Sequence, residues 1–536
     1  MKRRWGLGLV AAAMAMTACA ADDGARGGGG GPFVAVAAAP RTAPDDTTAD
    51  GSSADAEIDP DGVLRVATFA EYPWDPHLNP NTYGLVQLSL VYDRLVHTAP
   101  DGTLIPGLAE SWEYSDDGTT LTLSLRQGVT FQDGEVFDAE AVKANLDRAM
   151  TLEGSTVAPE LVNVSEVVAD DASTVTLRLA APDATLPAVL SGLAGLMISP
   201  PAMDDPALDQ NPVGAGMYRL AELTQGAGFT VERWDGYWDP EAVQAASIEW
   251  SFVPDTNARV NALTTGQIDI APIEPFDVDR VEQADGIEVR LNDTLRFVYL
   301  GLDLSVEPFN DLRVRQAIAH AIDREALVAG VWLGFGTPSE QIWPEGYFPH
   351  VPELDDRYPY DPERARELLA EAGLEDGFSF ESIVVPQPAA YQQLGEAIQA
   401  QLAAVGIDMS IRITEASQLG TAYYVEKVAP SAVLYTNGRL DPALTVGGRY
   451  AESGFFNVGK VSTPRLEELF AESISETDEA ARTEIFQQMS TEITDQLLDQ
   501  VLFFAQEPQG VSDRVVGLES YISGIQEFRG VGVAAG

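Results

Sequence analysis

The sequence predicts an α/β protein with mixed sheets, and three observations carry that reading. Stretches of strict alternation, such as "TTLTLSLR" (119–126) with Leu121, Leu123 and Leu125 on one face, have the period of strands. Stretches with apolar residues four apart, such as Val142, Leu146 and Met150 behind Asp138, have the period of helices. The two kinds alternate along the chain instead of segregating, which points to strand–helix–strand units. At 536 residues and 45% hydrophobic, the chain can bury a large core, and about three structural units are expected at ~150 residues each.

Taken in order, "VLRVATF" (63–69) reads as the first strand. Asp117-Gly118 is a hairpin-turn signal leading into the alternating 119–126 stretch. Asp138 is placed to N-cap the helix that follows, and "STVTLRL" (173–179) alternates again. "TNARVNALTTG" (256–266) reads as a helix closed by Gly266, followed by the short strand "QIDIAPI" (267–273). "RFVYLGLDL" (296–304) is strongly β. "DLRVRQAIAHAIDREALVAGVW" (311–332) reads as one helix, with Val314, Ile318, Ala321 and Ile322 on a face. Asp361 caps a helix with Pro362 at its first position and Gly373 beyond its end. Leu394, Ile398 and Leu402 mark another helix, ended by Gly406. Ile407, Met409, Ile411 and Ile413 then alternate as a strand. Thr463-Pro464 opens a helix, a further one runs from about Asp478 to Leu498, and "QVLFFAQ" (500–506) returns to strand. No internal repeat is found.

The N-terminus has the layout of an export signal. Lys2, Arg3 and Arg4 precede the apolar run Trp5 to Ala15, and small residues follow. Eleven apolar residues rise only about 16 Å as a helix, too short for a ~30 Å hydrocarbon core. Cys19, the single cysteine, then has two readings. Ala18-Cys19-Ala20 is an ordinary cleavage site with an incidental cysteine, or Met16-Thr17-Ala18-Cys19 resembles a bacterial lipobox whose cysteine is lipidated. The second is favoured, because an unpaired thiol in an oxidising compartment needs a reason and two acyl chains are what stable anchoring needs. Residues 20–60 hold Gly27 to Gly31 and few large apolar side chains, so they read as a disordered tether with an r.m.s. reach of about 35 Å.

The formal net charge of −51 leaves no basic stripe to meet phosphates, which argues against nucleic acid and against electrostatic adsorption to anionic lipid. Membrane attachment would rest on the acyl chains alone. Stability must come from packing, since no disulfide can form. His77, His97, His320 and His350 are not in metal-ligand spacing, so neither a metal site nor a cofactor is expected.

Four blocks, in order, resemble one family. "LAESWEYSDDGTTLTLSLRQGVTFQDGEVFDAEAVKANLDRAM" (108–150), "NPVGAGMYRL" (211–220), "PFNDLRVRQAIAHAIDREALV" (308–328) and "YDPERARELLAEAG" (360–373) are similar to the extracellular solute-binding proteins of ABC transporters, dipeptide/oligopeptide/nickel type. In the second block Ala215 and Met217 depart from the family pattern. The resemblance implies a two-lobed, periplasmic-binding-protein-like fold with a discontinuous, enlarged first lobe. Lobe I would be 61–300 plus 503–536, with an inserted subdomain near 100–205, and lobe II would be 301–502. The chain would cross between them near 294–306 and 498–508. It further implies a monomeric, extracytoplasmic, lipid-anchored protein that captures a peptide or other small solute and hands it to a membrane permease, without catalysis. An extracellular hydrolase and a ligand-binding sensor on the same fold stand as alternatives. No G-x-S-x-G, H-E-x-x-H or G-x-x-x-x-G-K-[ST] supports the hydrolase.

The resemblance also implies where ligand contacts fall. Family members that hold peptides carry a Gly-Trp-x-x-Asp-Tyr-x-x-Pro pattern, whose Asp meets the peptide ammonium. Aligned on Pro442 of "LYTNGRLDPAL" (434–444), Tyr435 takes the Trp position and Gly438 the Asp position, with Asn437 and Arg439 on either side and Asp441 as a substitute acid. Arg439, with Arg449, is a candidate for an anionic ligand; pairing with neighbouring acids is the alternative. Tyr72 and Trp74 in the loop after the first strand, Trp343 in "QIWPEG", and Phe456 and Asn457 in "FFNVG" are candidate walls and anchors. Each aromatic alone also fits plain core. Trp112, Trp234, Trp238 and Trp250 are assigned to the core.

Overall fold

The computed structural model describes residues 57–386 and 389–536. The export signal, Cys19 and all but the last four residues of the tether lie outside the described residues. Those last four do not behave as a tether. Ile58 already forms an antiparallel bridge with Ala534, and the Asp59 amide donates to the Val533 carbonyl at 2.8 Å.

Three substantial sheets organise the chain. The first has seven strands, ordered Ile287–Asn292, Glu507–Ser512, Ile270–Pro272, Val63–Thr68, Ser247–Phe252, Gly228–Arg233 and Tyr218–Thr224. Val63–Thr68 runs parallel to both Ser247–Phe252 and Ile270–Pro272, so the carboxyl ends of these three strands share one edge. The second sheet has six strands, ordered Gly336–Pro338, Gln500–Ala505, Arg296–Leu302, Ser431–Asn437, Phe378–Val384 and Ile407–Ile413. The third is a four-stranded antiparallel sheet made of Ala109–Tyr114, Thr120–Leu125, Thr174–Leu179 and Val164–Asp171. Leu121, Leu123 and Leu125 all point inward from it, as the alternation requires.

The chain passes from the first sheet to the second through residues 293–295, and returns through Gln506 alone. The strand Arg296–Leu302 lies wholly in the second sheet, so a boundary at 300/301 would cut it in two. Two large apolar clusters follow the sheets. One joins the first and four-stranded sheets around Leu64, Leu88, Leu121 and Val231. The other surrounds the second sheet, from Phe297 and Leu300 to Leu394 and Ile398, and extends to Val260 and Val281 beside the first.

Most elements stop where their capping residues stand. Asp138 accepts from the Ala141 amide and opens Ala139–Thr151; Asp361 accepts from Glu363 and Arg364 and opens Pro362–Glu371. Gly373 follows with φ +77°, a left-handed turn that costs an L side chain but not glycine. The single helix expected over 311–332 is two, Leu312–Ala321 and Arg324–Gly330. The break has a local cause. Asp323 takes an extended conformation and its carboxylate accepts from the Ala326 amide, so it caps a new helix instead of continuing the old one.

A cleft floor built where the chain crosses twice

The two passages bring four side chains from distant parts of the sequence together. Arg296 opens the outgoing strand and Glu507 opens the returning one. Arg296 Nη1 lies 2.6 Å from Glu507 Oε1. Its Nε donates to Asn437 Oδ1 at 2.8 Å, and its Nη2 donates to the Tyr83 hydroxyl. Tyr83 is presented by the short turn Thr82–Gly84, which Asn81 caps by accepting from the Tyr83 amide. Arg296 also faces aromatic rings, with its Cζ 5.3 Å from the Tyr435 centroid and 5.8 Å from that of Tyr83. Tyr391 completes the cluster, its ring 5.7 Å from Tyr435.

The electrostatics fit this packing. Burial alone would lower the Arg296 pKa; the Glu507 carboxylate and the surrounding phenols outweigh it and leave it raised. Burial pushes the Tyr83 and Tyr391 phenols up, so both stay protonated hydrogen-bonding groups at any ordinary pH.

Next to this cluster is a cavity of about 130 Å³, lined among others by Val66, Phe69, Tyr83, Trp250, Glu507 and Phe528. It opens at the shared carboxyl edge of the parallel strands, where ligands settle in α/β sheets. Buried Arg259 holds that edge together. Its guanidinium donates to the carbonyls of Val253, Pro254 and Pro272, tying two edge loops to one side chain.

The residues read from the sequence divide by position. Tyr435 is half exposed on the floor, and Asn437 accepts from Arg296 there. Arg439 lies farther out, paired at 2.6 Å with Glu160 of the region carrying the four-stranded sheet. Tyr72 is partly buried and held through its backbone by Gln87, beside a shallow surface pocket distinct from the floor cavity. Phe456 is exposed on the second sheet's side, stacked edge-on against Phe455 and Tyr424.

The other candidates are buried. Trp74 is 2% exposed with Phe229 5.0 Å away, and Trp343 is fully buried beside Tyr347, so both belong to the cores. Asp441 is buried, caps the helix Pro442–Arg449 and holds Arg482 at 2.5 and 2.9 Å. Asn457 is buried and ties a loop to the carbonyls of Ala451 and Val461. Arg449 pairs with Asp499 at 2.7 Å under the ring of Tyr299. Gly438 has no room for an acid, because a Cβ there would lie 2.9 Å from Leu295 Cβ. Trp234 and Trp250 are buried, and Trp112 and Trp238 pack partly buried against the same core. Among the described residues, no group of three or more His, Cys, Asp or Glu side chains could hold a metal ion.

Sequence reading missed Tyr83, Arg296, Tyr391 and Glu507. The signal for two of them was present: a charge at the head of the apolar run "RFVYLGLDL", and another just after "VLFFAQ". Tyr83 and Tyr391 carry no local mark; only the fold brings them to the floor.

Residues 103–452 match the family described as bacterial extracellular solute-binding proteins, family 5. The chain is 32% identical over 431 residues to the glutathione-binding protein GsiB of Escherichia coli K12, covering 77% of this chain and 83% of that one. The fold superposes on the periplasmic binding protein AgaA of A. tumefaciens R10, solved with agropinic acid, at TM-score 0.73 and 25% identity over 89% of this chain and 99% of that one. It also superposes on a nickel ABC transporter protein of Bacillus halodurans at TM-score 0.76 and 25% identity, over 88% and 100% of the two chains.

Proposed function

The chain belongs to the bacterial extracellular solute-binding proteins of family 5, and from that premise we propose how its cleft works and what it takes. The protein captures a small solute and supplies it to an ABC importer. The proposed binding place is the floor between the two passages, with Tyr435, Asn437, Arg296, Tyr83 and Glu507 as the contacting groups. In this reading one lobe holds the first and four-stranded sheets, residues 57–295 plus 506–536, and the other holds 296–505. A solute touching both lobes binds the closed arrangement better than the open one and shifts the population toward it. No bond is made or broken.

The observation that carries this reading is the match to the family together with a pocket at the double crossing, where opposite charges and aromatic rings converge. The glutathione-binding relative supports a peptide-like solute. The missing acid at Gly438 argues against a lone peptide ammonium held in that position. Export, lipidation at Cys19, attachment on the outer face of the cell membrane, a monomeric state and delivery to a dedicated permease belong to the same proposal. The test is native mass spectrometry of the gently purified protein, before and after denaturation. A reproducible small mass lost on unfolding supports solute capture. If nothing is released and no solute from a panel of peptides, sugars and organic acids shifts the thermal midpoint, the reading fails.

A further inference from the structure

The hydrogen-bonding capacity left over at the cleft floor specifies one end of the solute. A guanidinium carries five N–H groups in a fixed fork. Arg296 gives one to Asn437 and one to Tyr83, and its Nη1 is ion-paired with Glu507 at 2.6 Å, so even with one Nη1 hydrogen turned to that carboxylate two remain. Glu507 Oε1 receives Arg296 and, at 3.4 Å, the Tyr83 hydroxyl; Oε2 has no partner among the described residues. Both side chains keep part of their surface, 24% for Arg296 and 28% for Glu507, and Glu507 also lines the 130 Å³ cavity. Two free donors of positive charge and one free acceptor of negative charge therefore stand side by side. A lone ammonium at this spot is repelled by the guanidinium, and a lone carboxylate by Glu507. A group with both charges on one carbon is attracted at both positions.

Resting on the solute-capture reading, we propose that the solute presents an α-amino-acid head, an ammonium and a carboxylate on the same carbon, to Arg296 and Glu507. The carboxylate takes the two free guanidinium hydrogens. The ammonium donates to Glu507 Oε2, and the rings of Tyr83 and Tyr435 flank the pair. Gly438 fits this account. A zwitterionic head brings its own counter-charge to the floor and needs no separate acid at that position.

Two isomeric dipeptides test it. In γ-L-glutamylglycine the ammonium and a carboxylate share the α-carbon; in α-L-glutamylglycine the ammonium sits beside a peptide carbonyl. Calorimetric titration of the full chain is expected to show the γ isomer binding at least about tenfold tighter. Arg296→Gln and Glu507→Gln are each expected to bring the two isomers to within about twofold, a change of preference that a purely structural ion pair would not produce. If either variant fails to fold by circular dichroism, the wild-type comparison decides alone. Equal affinity, preference for the α isomer, or binding of neither overturns the proposal. A chain that fails here yet binds another solute from the wider panel loses the amino-acid head and keeps solute capture; one that binds nothing loses both.

Discussion

Arg449 and Arg439 are ten residues apart, and their surroundings assign them different work. Arg449 is buried against Asp499 and the Tyr299 ring. Arg449→Ala would leave the Asp499 carboxylate buried with only the Tyr450 hydroxyl, at 2.8 Å, to meet it. A loss of about 3–5 kcal/mol in urea unfolding is expected. The Arg439 side chain is 39% exposed, and Arg439→Ala should cost no more than about 1 kcal/mol in the same measurement. His77 supplies a second prediction at this scale. Burial, reinforced by the Arg148 cation, lowers its pKa from 6.5 to about 4, and its Nδ1 lies 2.8 Å from Arg148 Nη1. The folded chain therefore holds it neutral while the unfolded chain protonates it below pH 6.5. The unfolded state binds more protons in that window, so stability is present above about pH 6.5 and is lost as pH falls toward 4. His77→Gln should flatten the fall of the thermal midpoint between those limits. Neither arginine's partner could be read from its neighbours in sequence: Asp499 is 50 positions from Arg449, and Glu160 is 279 positions from Arg439. Charge placement was legible; pairing was not, because pairing is decided by the sheets.

At the scale of elements, the legible ones had a strong period and a capping residue together. Thr120–Leu125 shows its alternation, and Pro362–Glu371 shows Asp361, Pro362 and Gly373 in their places. The segment 311–332 misled because its apolar spacing runs on through a capping aspartate. Ile318 and Ala321 are buried in the first helix and Ile322 at its end, and buried Leu327 and Val328 continue the apolar spacing beyond the break. If Asp323 is what sets that break, Asp323→Ala should cost about 1 kcal/mol in urea unfolding, the usual value of an N-cap. Leu300→Ala, in the centre of the second sheet where the side chain is fully buried, should cost about 2–5 kcal/mol. Two of the aromatic candidates are more buried than their sequence context suggests, for a related reason. Trp74 and Trp343 sit in loops, where exposure is the common state, yet each is folded back into a core that the sequence does not locate.

For the whole molecule, the contacts outside the floor say which parts of the two proposed lobes meet. Besides Arg439 and Glu160, the Ala184 amide donates to the Ile474 carbonyl at 2.8 Å, and Leu444 packs against the cluster of the first sheet. Glu160→Lys would set two cations against each other at this contact. It should raise the radius of gyration of the solute-free protein in small-angle scattering, and an unchanged radius would show that the contact does not hold the halves together. The two passages add a mechanical consequence. One is three residues long and the other a single residue, which under the solute-capture proposal favours a turn of the two lobes about the line that joins the passages. Displacement in such a rotation grows with distance from the axle. Fluorophores placed near Glu160 and Arg439 should report a large swing, while Arg296 and Glu507, on the axle itself, hardly part. Under the solute-capture proposal, an incoming solute would meet its charged cradle ready-made in the open molecule, and the turning would bury it.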